Sequence, residues 1–458
     1  MYANALDRYV ASRLGEGFVL EDATKARLSF TLKVISFDDF LRDLADSFDA
    51  LSFKDEPMSE LYSFISYSHA RPQRYLSRSL TGNMYGLRVT DKNSLILFRQ
   101  YAFGRTFINA TPWLELASDG SPLGPHTMLL SGSSYAPKSL QYHVNRPVDY
   151  VLEADPGKAG KLMDSRVEDL GIAQRVSGSD MKDRAANLNR VMRCLVETLD
   201  LELRKDGAGK ALVVVNSYDQ AEQARQTLES AFRESGLGYG VAALSRSSTG
   251  ESDTCVPRSE VARFHGHPAS VLIAPAKAIE RGYNIVDETG HAAFTTVVFA
   301  VRPMEVPYDV AARCRRLNGL MEARIGEFPA QPFEFADSLH RESWRQWHRL
   351  GRADGTTLAS LASLGLECVR DDIVATMLAT IVQVFGRLTR LSDPDRPAPT
   401  VYFADAAFRG PFDTNAPAFR TLDELRAYME WLMVESPQPD VARALYGPFY
   451  EAFKKGVH

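Results

Sequence analysis

The sequence predicts an α/β protein built on a parallel sheet with helices on both faces. Three observations carry this. Short runs of consecutive apolar residues, such as Leu212-Val-Val-Val215, recur along the second half of the chain. Between them lie stretches with helical spacing of apolar residues. Uninterrupted apolar strands alternating with helices are what a parallel sheet buried on both sides requires.

The elements follow in order. Thr127–Leu130 predicts a short buried strand ending in the small-residue loop Ser131-Gly132-Ser133-Ser134, and Asp149–Glu153 predicts another. Residues 154–180 are polar and predict a connection. Asp180–Leu203 predicts a helix burying Leu188, Val191, Met192, Leu195 and Leu199. Strands are then expected at 210–215, 239–244, 270–274, 294–300 and 400–404. Helices are expected at 218–235 and 257–264, and over 371–391. A mostly helical insertion, 305–370, carries Arg313, Arg315, Arg316, Trp344 and Trp347. Helices near 421–435 and 439–454 close the chain. The implied domains are a mixed helical and aromatic-basic region, 1–125; a strand and connection, 126–205; the α/β domain, 206–410; and the terminal helices, 411–458. In the first of these, a helix-like acidic part (36–60) precedes a stretch, 62–107, that interleaves arginines with Tyr and Phe. Such a mixture serves base stacking and phosphate contacts, or a small core with snorkelling arginines.

The 458 residues are 45% apolar and 24% charged, with a formal charge of −5. That composition is ordinary for a globular protein and gives no overall nucleic-acid signature, so any such surface must be local. The four cysteines are widely spaced and form no Cys/His cluster of metal-binding pattern. No signal peptide and no apolar run of membrane-spanning length is present, so a cytoplasmic protein is expected.

Ligands of open α/β sheets gather outside the carboxyl ends of the strands. Asn216-Ser217-Tyr218 follows one strand; Ser217 either caps the next helix or bonds a phosphate. Lys277-Ala-Ile-Glu280-Arg281-Gly282-Tyr283-Asn284 follows another, with Gly282 permitting positive φ or close approach. Most telling is Gln383-Val-Phe-Gly386-Arg387-Leu-Thr-Arg390. On a continuous helix Gln383, Arg387 and Arg390 share one face. Ile373, Met377, Ile381, Val384 and Leu388 form a separate apolar stripe. Guanidinium forks suit phosphate oxygens, whereas a solvated Arg-rich helix end is the simpler reading.

Taken in order, Ser131–Ser134, Asn216–Tyr218, Arg281–Asn284 and Gln383–Arg390 resemble motifs III to VI of superfamily 2 helicases. With Ser392-Asp393-Pro-Asp395 and Val301-Arg-Pro303 the set is most similar to the DinG/XPD-like branch. The resemblance spans about residues 125–405 and implies a RecA-like domain, the second of the two in such motors. It implies that Arg387 and Arg390 act as arginine fingers on ATP. Gln383 would couple that site to Ser131, Gly132, Ser133 and Ser134. Gly282, Asn284 and Gly386 would line the nucleotide site, and Ser217, Tyr218, Lys277 and Arg281 would meet single-stranded DNA. Asn284 stands where the family often has Asp.

The sequence contains no G-x-x-x-x-G-K-[ST] and no apolar strand ending in Asp-Glu-x-His. Gly207-Ala-Gly209-Lys210 comes closest but precedes a strand. The resemblance therefore implies that the phosphate cradle and the Mg2+ ligands belong to a first RecA-like domain, upstream or on a separate subunit. Two other readings remain: a nucleic-acid-binding scaffold without hydrolysis, and an unrelated enzyme whose arginines hold a substrate phosphate.

Overall fold

The computed structural model describes residues 115–457, except 122, 125, 131, 154–163, 206, 247–251, 306–308, 330–331, 354–359, 362–363, 391–395 and 411–419. Before these it describes a few isolated residues and an antiparallel pair, β1 (Met84–Val89) and β2 (Leu95–Gln100). Of the helix expected at 36–60 only Ser36 and Phe40 are described, both helical; the rest of it and most of the Arg-aromatic stretch fall outside the described residues. Two compact units are present: Met1–His126 with Cys314–Ser343, and Thr127–Arg313 with Trp344–His458.

The second unit holds a seven-stranded sheet. Its strands are β3 (Arg166–Asp169), β4 (Lys210–Val215), β5 (Val241–Ser245), β6 (Cys255–Pro257), β7 (Val271–Pro275), β8 (Phe294–Phe299) and β9 (Thr400–Phe403). Their order is β3-β9-β8-β4-β7-β5-β6, and every pairing is parallel. After the edge strand β3 the chain lays down β4 at the centre, fills one side with β5 to β7, then crosses to the other with β8 and β9. The carboxyl ends of β4 and β8 thus flank a topological switch point, where the connection after β4 runs toward β5 and that after β8 toward β9.

Alternation along the strands divides the core in two. Leu212, Val214, Leu272, Val297, Phe299 and Phe403 face one layer of helices. That layer contains α7 (Glu367–Phe385), α8 (Thr421–Val434) and α9 (Pro439–Gly456); the insertion helices α5 (Val310–Ala323) and α6 (Pro332–Gly351) precede α7 along the chain. Ala211, Val213, Val215, Ile273, Val298 and Tyr402 face the other layer, made of α1 (Met181–Cys194), α2 (Val196–Leu203) and α3 (Tyr218–Glu234). The one-turn helix α4 (Ala276–Ile279) follows β7 directly. The expected α/β architecture, a parallel sheet covered on both faces, is what the chain adopts.

Several elements differ from expectation. Thr127–Leu130 and Asp149–Glu153 are irregular, not strands. Leu130 and Leu152 are 92% and 98% exposed. Both segments have strand-forming side chains but no neighbouring strand, and an isolated strand cannot satisfy its backbone. Within the expected connection, β3 instead pairs with β9; of its four residues only Val167 is fully buried, so it carries no apolar run to signal it. The helix expected to reach residue 391 stops at Phe385, with Gly386 as its C-cap. It is buried nearly all round, not along one stripe, because it is sandwiched between the sheet and the terminal helices. The helix expected over 180–203 is broken at Leu195 into α1 and α2, though all five predicted apolar residues are buried.

The carboxyl edge is tied by one buried carboxylate. Asp405, just after β9, accepts N–H bonds from Val176 and Ala407 through Oδ1 and from Ser177 and Arg302 through Oδ2, at 2.9–3.0 Å. Arg302 in turn donates to the Ala407 carbonyl and to Thr421 Oγ1 at the start of α8. Burial pulls the Arg302 guanidinium down to about 10, and the Asp405 charge opposes that shift. Asp405→Ala leaves four buried N–H groups without their acceptor. The expected loss of unfolding free energy is about 3–5 kcal/mol by urea denaturation, at the upper end of single substitutions. A loss under about 1 kcal/mol would show that solvent or local rearrangement satisfies these groups.

Candidate functional site

Three segments converge beside the switch point. The first is the 3-10 turn Gly132–Ser134 and the loop after it. It is fixed by the terminal helices: Tyr446 Oη donates to the Tyr135 carbonyl at 2.7 Å, and Tyr135 Oη donates to the Gln438 carbonyl at 3.0 Å. Helix α7 adds Asp372, fully buried, which accepts the Leu140 N–H at 2.6 Å. The second segment is α4 and the turn Glu280–Asn284. The third is the end of α7.

Glu280 joins the second and third segments. Its buried Oε2 accepts from Thr380 Oγ1 on α7 at 2.7 Å. Its Oε1 lies 3.4 Å from Lys277 Nζ. Its carbonyl accepts from Arg387 Nη2 at 3.0 Å. Arg281 joins the second segment to the first, donating to Ser133 Oγ at 3.2 Å while its guanidinium lies 4.1 Å from the Tyr142 ring centre. Lys277 reaches Tyr142 Oη at 2.9 Å. Burial works to lower the Lys277 ammonium, but the nearby Tyr142, Glu280 and Glu305 outweigh it and hold it above its ordinary value.

The arginines of the third segment are electrostatically exceptional. Because α7 ends at Phe385, Arg387 and Arg390 sit in the turn beyond it and do not share a helical face with Gln383. Gly386 keeps an ordinary helical φ of −57°, so that glycine ends the helix without a left-handed residue. Arg387 is only 5% exposed, and its Nε is buried without a hydrogen-bond partner. Among the described residues neither Arg387 nor Arg390 forms an ion pair with a carboxylate. Desolvation, then the neighbouring Arg390, pull the Arg387 guanidinium down to about 10. Arg390 is exposed and lines a cleft of about 230 Å³ with Gly132, Ser133, Gln383, Gly386 and Thr389. Guanidinium groups held together without carboxylates favour an anion with several oxygens.

The structure therefore gathers Gly132, Ser133, Lys277, Arg281, Gln383, Gly386, Arg387 and Arg390 at one edge. Ser134 lies in the same turn and accepts the Val144 N–H through its carbonyl. Ser131 lies outside the described residues. Gly282 has φ +89° with open space around it, and it and Asn284 are exposed at the rim. Ser217 caps α3, accepting the Gln220 N–H at 3.2 Å, and Tyr218 lies 4.8 Å from the Arg246 guanidinium. Neither joins the arginine cleft. Lys210 is the first residue of β4, and its ammonium donates to the Ala269 carbonyl at 2.6 Å, so it holds a strand start. Glu280, Thr380, Tyr142 and Asp372 were not anticipated. Glu280 sits inside a recognised stretch, but its burial is a tertiary property; Tyr142 lies in a loop with no periodic signal.

Among the described residues no cluster of His, Cys, Asp or Glu fits a metal ion, and the cysteines are free. No helix among them is long and apolar enough to cross a membrane. Comparison with known protein families and with curated proteins returns no match.

The uncompensated charge makes a stability prediction. In Arg387→Met the loss of one charged hydrogen bond is offset by relief of a buried, unpaired cation. Urea unfolding is expected to stay within about 1 kcal/mol of wild type. A drop of about 3–5 kcal/mol, as when one partner of a compensated buried pair is removed, would mean that Arg387 serves the fold instead of a ligand.

Proposed function

We propose that this chain is the C-terminal motor half of an ATP-dependent DNA helicase or translocase. The observation that carries the reading is the pair Arg387 and Arg390, two guanidiniums with no carboxylate partner among the described residues, beside Gln383 and the Gly132–Ser133 turn. These residues fit the phosphate tail of ATP. A cleft of about 230 Å³ is smaller than usual for a whole nucleotide-sized ligand, in keeping with a site completed by another surface. Bound ATP with Mg2+ supplies the phosphoryl group whose transfer drives movement. Toward it Arg390, exposed on the cleft, presents its fork, and Arg387 adds fixed positive charge behind. Arginines so placed stabilise charge that develops during phosphoryl transfer. The residues of the second RecA-like domain would meet a first domain carrying the phosphate cradle and the Mg2+ ligands, upstream or on a separate subunit. Single-stranded DNA would run along the outer loops, where Lys277, Arg281, Ser217 and Tyr218 provide cations, a hydroxyl and an aromatic ring.

A second reading has its own observation. Arg387 is committed to the Glu280 carbonyl and closed to solvent. That arrangement also suits a non-hydrolysing nucleic-acid-binding scaffold in which the arginine joins loop to helix.

Steady-state ATP hydrolysis separates the two. Purified chain alone is expected to show no more than trace turnover. With a first motor domain supplied by fusion or in trans, DNA-stimulated hydrolysis is expected, and Arg390→Ala should lower it on the order of 10³-fold while the protein stays folded. Robust turnover by the chain alone would overturn the half-site, and an unchanged rate in Arg390→Ala would favour the scaffold.

A further inference from the structure

The final turns of α6 carry chemistry that the arginine cleft does not use. The run Trp344-Arg345-Gln346-Trp347-His348-Arg349-Leu350-Gly351-Arg352 has three arginines, one histidine and no carboxylate, in a chain of net charge −5. Gln346 and Leu350 are buried and mark the inner side of the helix. Trp347 is half-buried, with the Arg313 guanidinium 4.5 Å from its ring centre. The outer side holds two adjacent i, i+4 pairs, Trp344 with His348 and Arg345 with Arg349, all exposed. Trp344 is 62% exposed. Its only aromatic neighbour among the described residues is His348, edge-on at 4.6 Å and 83°. Arg349 donates to the Gly365 carbonyl, which limits its freedom.

We propose that this outer face of α6 binds single-stranded nucleic acid, with Trp344 stacking on a base and Arg345 and Arg349 meeting the flanking phosphates. An indole open to solvent offers a large flat surface to any base, and guanidiniums one turn apart follow a phosphate chain. Charge complementarity selects a polyanion. The indole selects one with flat aromatic groups over an acidic peptide, which needs only the guanidiniums. A bilayer would require a broad apolar face, and this stretch offers a single exposed tryptophan. The surface is separate in sequence from the loops at the carboxyl edge of the sheet and does not depend on the arginine pair.

The test is fluorescence anisotropy with a labelled oligo(dT) of about 20 nucleotides, long enough for several contacts. The wild-type chain, Trp344→Ala, Trp344→Phe, Arg345→Ala and a Lys277→Ala/Arg281→Ala double variant are compared across a salt series, with circular dichroism to confirm folding. Trp344→Ala should weaken binding roughly ten-fold, and Trp344→Phe should keep most of it. Arg345→Ala should flatten the dependence of log affinity on log salt by about 0.7. Wild-type affinity in Trp344→Ala, with binding lost only in the double variant, would overturn this inference while leaving the proposed function intact. Trp344-dependent binding of polyglutamate or of phosphatidylserine vesicles, without oligo(dT) binding, would overturn it in favour of those partners.

Discussion

Four backbone N–H groups meet on the carboxylate of Asp405, and the carboxyl edge of the sheet depends on that convergence. The donors come from the loops after β3, β8 and β9 themselves. Asn216, after β4, extends the connection by donating from Nδ2 to the Arg302 carbonyl at 2.9 Å. Four strand ends are thus held in register by polar contacts and not only by the ladders between them. Loops at such an edge would otherwise expose unpaired backbone, and a buried unpaired group costs about 1–3 kcal/mol. Satisfying them through one side chain fixes the positions from which the neighbouring loops depart.

Arg387 is the opposite case, and the contrast gives it meaning. Asp405 is buried with every oxygen engaged, so its environment is complete within the chain. Arg387 is nearly as buried, yet meets a single carbonyl, leaves Nε without a partner and faces another arginine. Folding alone gains little from such an arrangement, since the desolvation of a cation is offset here by only one hydrogen bond. A group held in an unfavourable state by its surroundings is a common mark of a site completed by a ligand. The same surroundings explain why the arginine does not pair with the buried carboxylate of Glu280, which already accepts from Thr380 and lies beside Lys277.

The fold was largely legible because its signals are local. The strands β4, β5, β7, β8 and β9 are apolar over most of their length, and the terminal helices have clear spacing and boundaries. What was not legible depends on neighbours far along the chain. Thr127–Leu130 and Asp149–Glu153 have strand composition but no strand beside them, whereas Arg166-Val-Glu-Asp169 has little strand composition but lies against β9. The site was legible as a set of loops: Ser133, Lys277, Arg281 and the arginines do come together. Its internal wiring was not. The i, i+4, i+7 spacing of Gln383, Arg387 and Arg390 presumes a continuous helix, and Gly386 ends it one residue before the first arginine. Sequence spacing also gives no hint that Glu280 is buried, or that Tyr142 lies under Arg281.

That wiring has a mechanical consequence. Arg387 is held by the carbonyl of Glu280, a residue whose side chain also faces Lys277 and Thr380. The next residue, Arg281, is fastened to Ser133 and stacked on Tyr142. The turn from Lys277 to Arg281 therefore connects outer cations with the buried guanidinium through a few bonds. It ends at Gly282, where a φ of +89° suits glycine and no side chain crowds the backbone. A displacement of this turn moves the carbonyl that orients Arg387, and a force on Arg387 is felt at Lys277. On the proposed reading these two ends face DNA and nucleotide. Coupling between them then needs no long path through the core, because one residue, Glu280, touches both.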